Sequence, residues 1–476
     1  MAAMAAERVR TERDSMGEVP VPEDAYYGAS TERARQNFPI SDLRLPRSFI
    51  RALGQIKGSA ALVNAELGLL EARLAAAIAQ AAEEVEESRF DKDFVVDVFQ
   101  TGSGTSTNTN ANEVIANRAS EILGGPRGEG RLVHPNDHVN RCQSSNDVIP
   151  TAMQLAALVE ISVELVPALE YLESSLRRKA AEFMPVIKTG RTHLQDATPI
   201  RLGQEFLGYA GQVARGLKRL QAVRLELGEL PLGGTAVGTG VTAHPEFAER
   251  VCSHLARRTG MPVKETDNHF QAQASLDTVL STSGALRTIA ASLWKVGNDI
   301  RWFGSGPRAG LGELALPEVQ PGSSIMPGKV NPVIIESALM VVAEVLGNDA
   351  TIAVAAQAGS IFELNLMMPV AAYNLLQSIG LLARAAENLA KRCIDGLRAT
   401  DHGPAMVEQG LMLATALAPA IGYDAAAKIA KEALTSGKTV REIARQRAGL
   451  KPEELDRLLD PARMTEPGLD AGGSQR

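Results

Sequence analysis

Apolar residues recur three and four positions apart over most of this chain, and the segments that break the rhythm are short, polar and rich in glycine. That spacing lines one face of an α-helix. A first run begins near Phe49 and passes through Ile56, Val63, Leu67 and Leu70 toward Val85. Leu155, Leu158, Ile161, Leu165, Leu169, Leu172 and Leu176 predict a long helix that takes Pro167 as a kink. Leu202, Phe206, Tyr209, Val213, Leu217 and Leu220 predict a second long helix, and the stretch from about Phe270 to Phe303 a third. A fourth covers Val333 to Leu346 with Glu336 in its first turn, and a fifth runs over about Leu364–Ile394. Residues 1–48, broken by Pro20, Pro22, Pro39 and Pro46, read as irregular. Beyond Gly396 come shorter helices and a charged tail, Lys451 to Arg476.

The expected fold class is therefore mainly α, a three-domain subunit whose long central helices form a bundle. The expected divisions are 1–143 (mixed, mostly helical), 144–396 (the long-helix bundle) and 397–476 (a small helical domain). Several of the long helices are apolar around most of their circumference. Such helices must be buried, and subunit association is the simplest way to bury them.

Composition then narrows the function. Hydrophobic content is 45% but aromatic content only 4%, so the core is built from Ala, Leu, Val and Ile, which suits close helix–helix contact. The net charge of −7 and the lack of a long basic run argue against nucleic acid as a partner. Cys142, Cys252 and Cys393 are far apart, as expected in a reducing, cytoplasmic setting and not in a disulfide framework or cysteine metal site. No uninterrupted apolar run approaches a membrane span, so no membrane is expected as a partner. Met1 to Arg10 lacks the apolar core of a signal peptide and reads as a frayed start.

Four polar clusters interrupt the helices, at 100–112, 131–147, 188–199 and 321–332. Taken singly, each reads at least as well as a solvated turn. Together they share hydroxyls, amides, a few histidines and few carboxylates, a set suited to a small polyanion that needs many neutral donors and one or two cations. Pro321 to Pro332 is the richest, a Gly- and Pro-punctuated loop running into a helix N-terminus. Rival chemistries fit less well. His134 and His138 are four apart, but Pro135 lies between them and no HExxH pattern surrounds them, so no metal site is expected. Gly102-Ser103-Gly104 lacks the Gly-Lys-Ser/Thr of a P-loop, and Gly233 to Gly240 matches no dinucleotide fingerprint. Ser323 or Ser324 could be set beside His193 on paper, without the surroundings of a nucleophile elbow.

Four of these stretches carry a resemblance. Gly322-Ser323-Ser324-Ile325-Met326-Pro327-Gly328-Lys329-Val330-Asn331-Pro332 looks like the signature of the fumarase/aspartase superfamily. Gln100 to Thr105, Ser144-Ser145-Asn146-Asp147 and Gly190-Arg191-Thr192-His193-Leu194-Gln195-Asp196 are similar to its other motifs, in the same order. The likeness runs from about Asp14 to Met464. His193, Ser103 and Gly328 lean toward the class II, iron-free fumarases, whereas Tyr26-Tyr27-Gly28 and Pro307 to Leu311 lean toward aspartases. Thr242 stands where fumarases usually carry Asn, and His269 and Gln271 replace a usual Lys and Glu.

The resemblance implies a homotetramer on a central helix bundle, active sites shared between subunits, and reversible hydration of fumarate to L-malate without a cofactor. It implies Ser323 as the base toward carbon and His193 on the water side, with Glu336 supporting His193. It further implies a substrate cradle of Ser103, Gly104, Thr105, Ser144, Ser145, Asn146, Thr192, Ser324, Lys329, Val330 and Asn331. Arg131, His134, Pro135, Asn136 and Asp137 match the superfamily's second dicarboxylate site, and a helix-entry turn explains them equally well. Aspartate ammonia-lyase and a catalytically silent helical scaffold are the competing expectations.

Overall fold

The computed structural model describes residues 8–468. Of the frayed start expected over Met1–Arg10, residues 1–7 lie outside that range, as do the last eight positions of the charged tail. The described chain is mainly helical, and its strands form only two-stranded ribbons. Contacts divide it into two units, one built from the segment through Pro167 with Gly216–Ala290 and Ala343–Arg384. The other comprises Ala168–Arg215, Ala291–Val342 and the segment from Ala385 onward.

In the first unit the amino-terminal region is not irregular. Val9–Asp14 and Gly17–Pro22 pair as an antiparallel hairpin, and Ala29–Asn37 is a helix. Pro20 and Pro22 are two apart, so both missing N–H groups fall on the same side of the strand. Every second N–H of an edge strand points away from its partner, and the pairing therefore survives them. The helices Arg47–Glu66 and Ala72–Glu86 follow. A Cβ at Gly54 would sit 2.8 Å from the Ala82 carbonyl oxygen and one at Gly58 3.3 Å from the Ala82 Cβ. Glycine and alanine thus replace aromatic bulk by letting two backbones approach. Phe49, Leu53, Ile56, Ile78, Ile115, Ile149 and Met153 are fully buried in this unit.

The polar run at 100–112 differs from the expected loop. From Thr105 it is already helix, continuing to Ile122. Its Ser106, Thr107, Asn108, Asn110 and Asn112 are buried and the tertiary packing overrides their weak propensity. The helix starting at Ser145 reaches Phe183, passing through a wide turn at Ile161–Leu165 that takes up the strain of Pro167. The third expected helix is broken at Ser275, with His269–Ala274 before it and Asp277–Phe303 after it.

In the second unit Phe183 packs edge-on against Phe206, with ring centroids 5.1 Å apart. A separate cluster of Leu413, Leu417, Ile429, Ile443 and Leu459 forms the core of its carboxy-terminal helices. The helices Leu202–Leu227, Asp277–Phe303, Val333–Gly359 and Met368–Arg392 contribute residues to both units. Ser145–Phe183 and Val333–Gly359 are long and apolar enough to cross a membrane by length and composition alone. Their apolar runs are interrupted by Glu160 and Glu164 in the first and by Glu336, Glu344 and Asp349 in the second.

Candidate active site

The first unit brings two helix starts together. Gly104 precedes Thr105–Ile122 in the left-handed region at φ 73°, a conformation that favours glycine. Ser144 caps Ser145–Glu160, its hydroxyl accepting from Asn146 N while Asp147 accepts from Ser144 N. The hydroxyls of Ser103 and Thr105 are 2.9 Å apart, and Asn108 Nδ2 donates to Ser145 Oγ at 3.2 Å. Asn146 Nδ2 donates to the Ala236 carbonyl at 2.8 Å. The result is a patch of hydroxyls and amides at two helix N-termini, where unpaired N–H groups favour an anion.

Behind this patch lie two buried charged groups, of which Asp147 belongs to a motif legible in the sequence and Lys57 does not. Asp147 is fully buried and accepts from the N–H groups of Ser144, Gly233 and Thr235 at 2.9, 2.9 and 3.0 Å. Burial pushes its carboxyl up, against those hydrogen bonds and the pull of Lys57. This explains the glycine-rich break at 233–240, which wraps a carboxylate and not a phosphate. Lys57 is also fully buried, donating to Asn140 and Gln143. Its signal in the sequence was a lysine on the helix stripe Leu53, Lys57, Ala60 and Asn64.

Of the residues tied to a second dicarboxylate site, Arg131 turns inward, toward Asn117 Oδ1 at 3.3 Å and the buried Glu12 carboxylate at 3.4 Å. His134 closes a turn, its Nδ1 accepting from Asn136 N and Asp137 N. Pro135 is buried, whereas Asn136 and Asp137 are exposed.

In the second unit, Ile187–Thr192 and Gln195–Arg201 form an antiparallel hairpin. The polar turn expected at 190–196 is its tip. His193 and Leu194 occupy the two loop positions at φ 58° and 59°, as a two-residue hairpin turn of right-handed twist demands. Both are exposed. The hairpin is anchored from below by ion pairs. Lys188 is buried between Glu205, at 3.1 Å, and Glu313, at 3.2 Å, and Glu313 also takes Arg191 at 2.7 Å. A cavity of about 640 Å³ opens beside the tip, lined in part by Arg191, His193, Glu205, Tyr209 and Lys295.

The 321–332 loop of this unit is largely exposed. Ser323 Oγ accepts from the N–H groups of Ile325 and Met326 at 3.3 and 3.0 Å. Asn331 Nδ2 donates to the Gly322 carbonyl at 2.5 Å, and Gly322 N to the Lys329 carbonyl at 3.0 Å, which ties the two ends of the loop. Gly328 has φ 78° and open space around it. Ser324 and Val330 are exposed, and Lys329 has no hydrogen-bond or ion-pair partner for its ammonium among the described residues. His193 makes no hydrogen bond to Glu336 within the described chain; Glu336 is exposed in the first turn of Val333–Gly359.

Of the departures noted in the sequence, His269 has local partners, whereas nothing in the structure explains Thr242. Thr242 sits at φ 66°, the region that Asn tolerates and a β-branched residue resists. His269 bridges the Pro231 carbonyl and the Glu265 carboxylate, both at 2.9 Å. Among the described residues no cluster of three or more His, Cys, Asp or Glu side chains could hold a metal ion.

Comparison with known proteins identifies the family of the chain. A family model described as lyase matches residues 17–347, and one described as fumarase C C-terminus matches 413–466. Class II fumarate hydratase 2 of Bradyrhizobium diazoefficiens is 53% identical over 96% of this chain and 97% of its own. Class II fumarate hydratase of Halobacterium salinarum is 53% identical over 98% of this chain and 99% of its own. The crystal structure of class II fumarase from Schistosoma mansoni superposes with a TM-score of 0.94 at 39% identity, covering 96% of this chain and 99% of that one. The chain belongs to the lyase family, on its class II fumarate hydratase branch.

Proposed function

We propose that this protein is a fumarate hydratase, a hydro-lyase that adds water reversibly and trans across fumarate to give L-malate, the corresponding step of the citric acid cycle. The full-length similarity to class II fumarate hydratases carries this reading, and the loop geometry supplies chemistry that supports it. In the dehydration direction a proton leaves carbon beside a carboxylate, and the negative charge moves onto the carboxylate oxygens as an aci-carboxylate. Lys329 and Asn331 are the donors suited to that charge. Ser323 takes the carbon-bound proton. A serine is a weak base, and two backbone N–H groups directed at Ser323 Oγ are the kind of support an alkoxide needs.

Trans geometry requires the second proton transfer on the opposite face. His193 serves there, taking a proton from water as hydroxide adds, or returning it as hydroxide leaves. Glu336 supports His193 from another subunit. Ser103, Gly104, Thr105, Ser144, Ser145, Asn146, Thr192, Ser324 and Val330 bind the two carboxylates. Arg131, His134, Pro135, Asn136 and Asp137 form an auxiliary dicarboxylate site. The assembly is a homotetramer with shared active sites, working in the cytoplasm without a cofactor, each subunit divided into 1–143, 144–396 and 397–476. Exposed Met340 and Val354 on the apolar Val333–Gly359 helix, at 68% and 58%, support burial of that helix between subunits.

The test follows the ultraviolet band of fumarate on incubation with the protein. Loss in water without ammonium, with L-malate formed, is the expected result. Loss only with ammonium present would replace this function by aspartate ammonia-lyase.

A further inference from the structure

The proposed cradle at 103–105 and 144–146 offers hydroxyls and amides but no cation, yet the fold buries an ammonium beneath it. Lys57 is fully enclosed, and its Nζ donates to Asn140 Oδ1 at 2.8 Å and Gln143 Oε1 at 2.9 Å. Both acceptors belong to the turn that delivers Ser144. Asn140 Oδ1 is shared with Asn108 Nδ2 at 3.2 Å, and the same Asn108 amide donates to Ser145 Oγ. Asn140 also donates to the Gln143 carbonyl, closing the turn on itself. Asp147, one helical turn on, is the charged group that acts on Lys57.

A leucine or methionine at this place on the helix stripe would fill the core without the cost of desolvating an ammonium. That cost is visible: burial pushes the Lys57 ammonium down to about 7, with Asp147 opposing. Expensive buried charges are kept where they orient something.

We propose that Lys57 is a positioning residue for substrate binding, fixing Asn140 and Gln143 from beneath and, through Asn108, the Ser145 hydroxyl. The inference rests on the assignment of 103–105 and 144–146 to the dicarboxylate. Removing the ammonium frees the turn and takes away the positive charge that acts on Asp147 behind an anion site. Both effects weaken binding more than turnover.

The experiment compares the full-length wild type with K57M and N140D, using fumarate as the variable substrate between pH 5.5 and 9.5. Circular dichroism and size-exclusion elution check folding. Loss of a charge-assisted contact predicts a KM raised by about tenfold in K57M with kcat changed by less than about threefold. In the wild type Lys57 is cationic below its shifted pKa, so kcat/KM falls as pH rises through about 7. K57M lacks that limb. N140D sets a carboxylate against the ammonium and moves the limb upward by about one pH unit. A folded K57M with wild-type KM and an unmoved limb overturns the proposal. If K57M does not fold, an unmoved limb in N140D overturns it alone. Wild-type protein without hydratase activity would overturn the assigned function and this inference together, a different pattern from active wild type with indifferent variants.

Discussion

Glu313→Gln tests how the histidine hairpin is held. Glu313, with 4% of its side chain exposed, joins Lys188 and Arg191 from beneath the turn, and Lys188 has Glu205 as its second anion. The four charges cancel. Lys188 also lies 4.5 Å from the centre of the Phe303 ring, away from water. Amide for carboxylate keeps the shape and leaves one positive charge in excess. At 3.2 Å and an effective dielectric constant near 20, one pair is worth about 5 kcal/mol before desolvation is subtracted. Breaking a buried pair costs about 3–5 kcal/mol. Glu205 still serves Lys188, so the lower end, about 3 kcal/mol, is expected for the variant. Denaturant unfolding should show a clearly lower midpoint with an unchanged slope. Fumarate hydration should fall by about tenfold in kcat, because the His193 tip loses its anchor and small misplacements are costly. A midpoint equal to wild type would refute the electrostatic account, and a lowered midpoint with full kcat would refute the link to His193.

Three further outcomes are expected. His193→Asn should fold normally, since Asn accepts the positive φ of an exposed tip, but lose about 10²–10⁴ in turnover as a proton-transfer group disappears; near-wild-type turnover would remove His193 from the mechanism. Ser323→Ala should abolish exchange of the malate C3 hydrogen with solvent, followed by NMR in deuterium oxide, and retained exchange would point to another base. Arg33 holds the Asp14 carboxyl below its ordinary value through two hydrogen bonds, against partial burial. The carboxylate is therefore more stable folded than unfolded. Its contribution is present above the ordinary carboxylate range and disappears as pH falls through the depressed value. Asp14→Asn should lower the unfolding midpoint at pH 7 and match wild type near pH 2, and a deficit independent of pH would contradict this.

Helix content was legible because its signal is local. Leu202, Phe206, Tyr209, Val213 and Leu220 state their own period, and a helix spans Leu202–Leu227 where it was expected. Segments whose state depends on distant partners are not legible in this way. Thr105 to Asn112 looked like loop because nothing nearby shows that its amides will be buried. The hairpin at Ile187–Arg201 was hidden by a Leu at a left-handed position usually marked by Gly or Asn. Val9–Pro22 reads as irregular because of its prolines, although their alternation is compatible with an edge.

The site divides in the same way. The residues proposed to bear the chemistry could be picked out in the sequence, since Ser323, Lys329, Asn331, His193 and Ser144 to Asn146 lie in short contiguous motifs that carry the resemblance. What supports them was decided by tertiary structure. Asp147 gathers N–H groups from 233 and 235, Lys57 reaches turn residues more than eighty positions away, and Glu313 anchors a hairpin 122 positions earlier. A lone charge on an apolar stripe can be read from sequence as an anomaly. Its purpose depends on desolvation and on partners within hydrogen-bond reach, and folding alone brings those together.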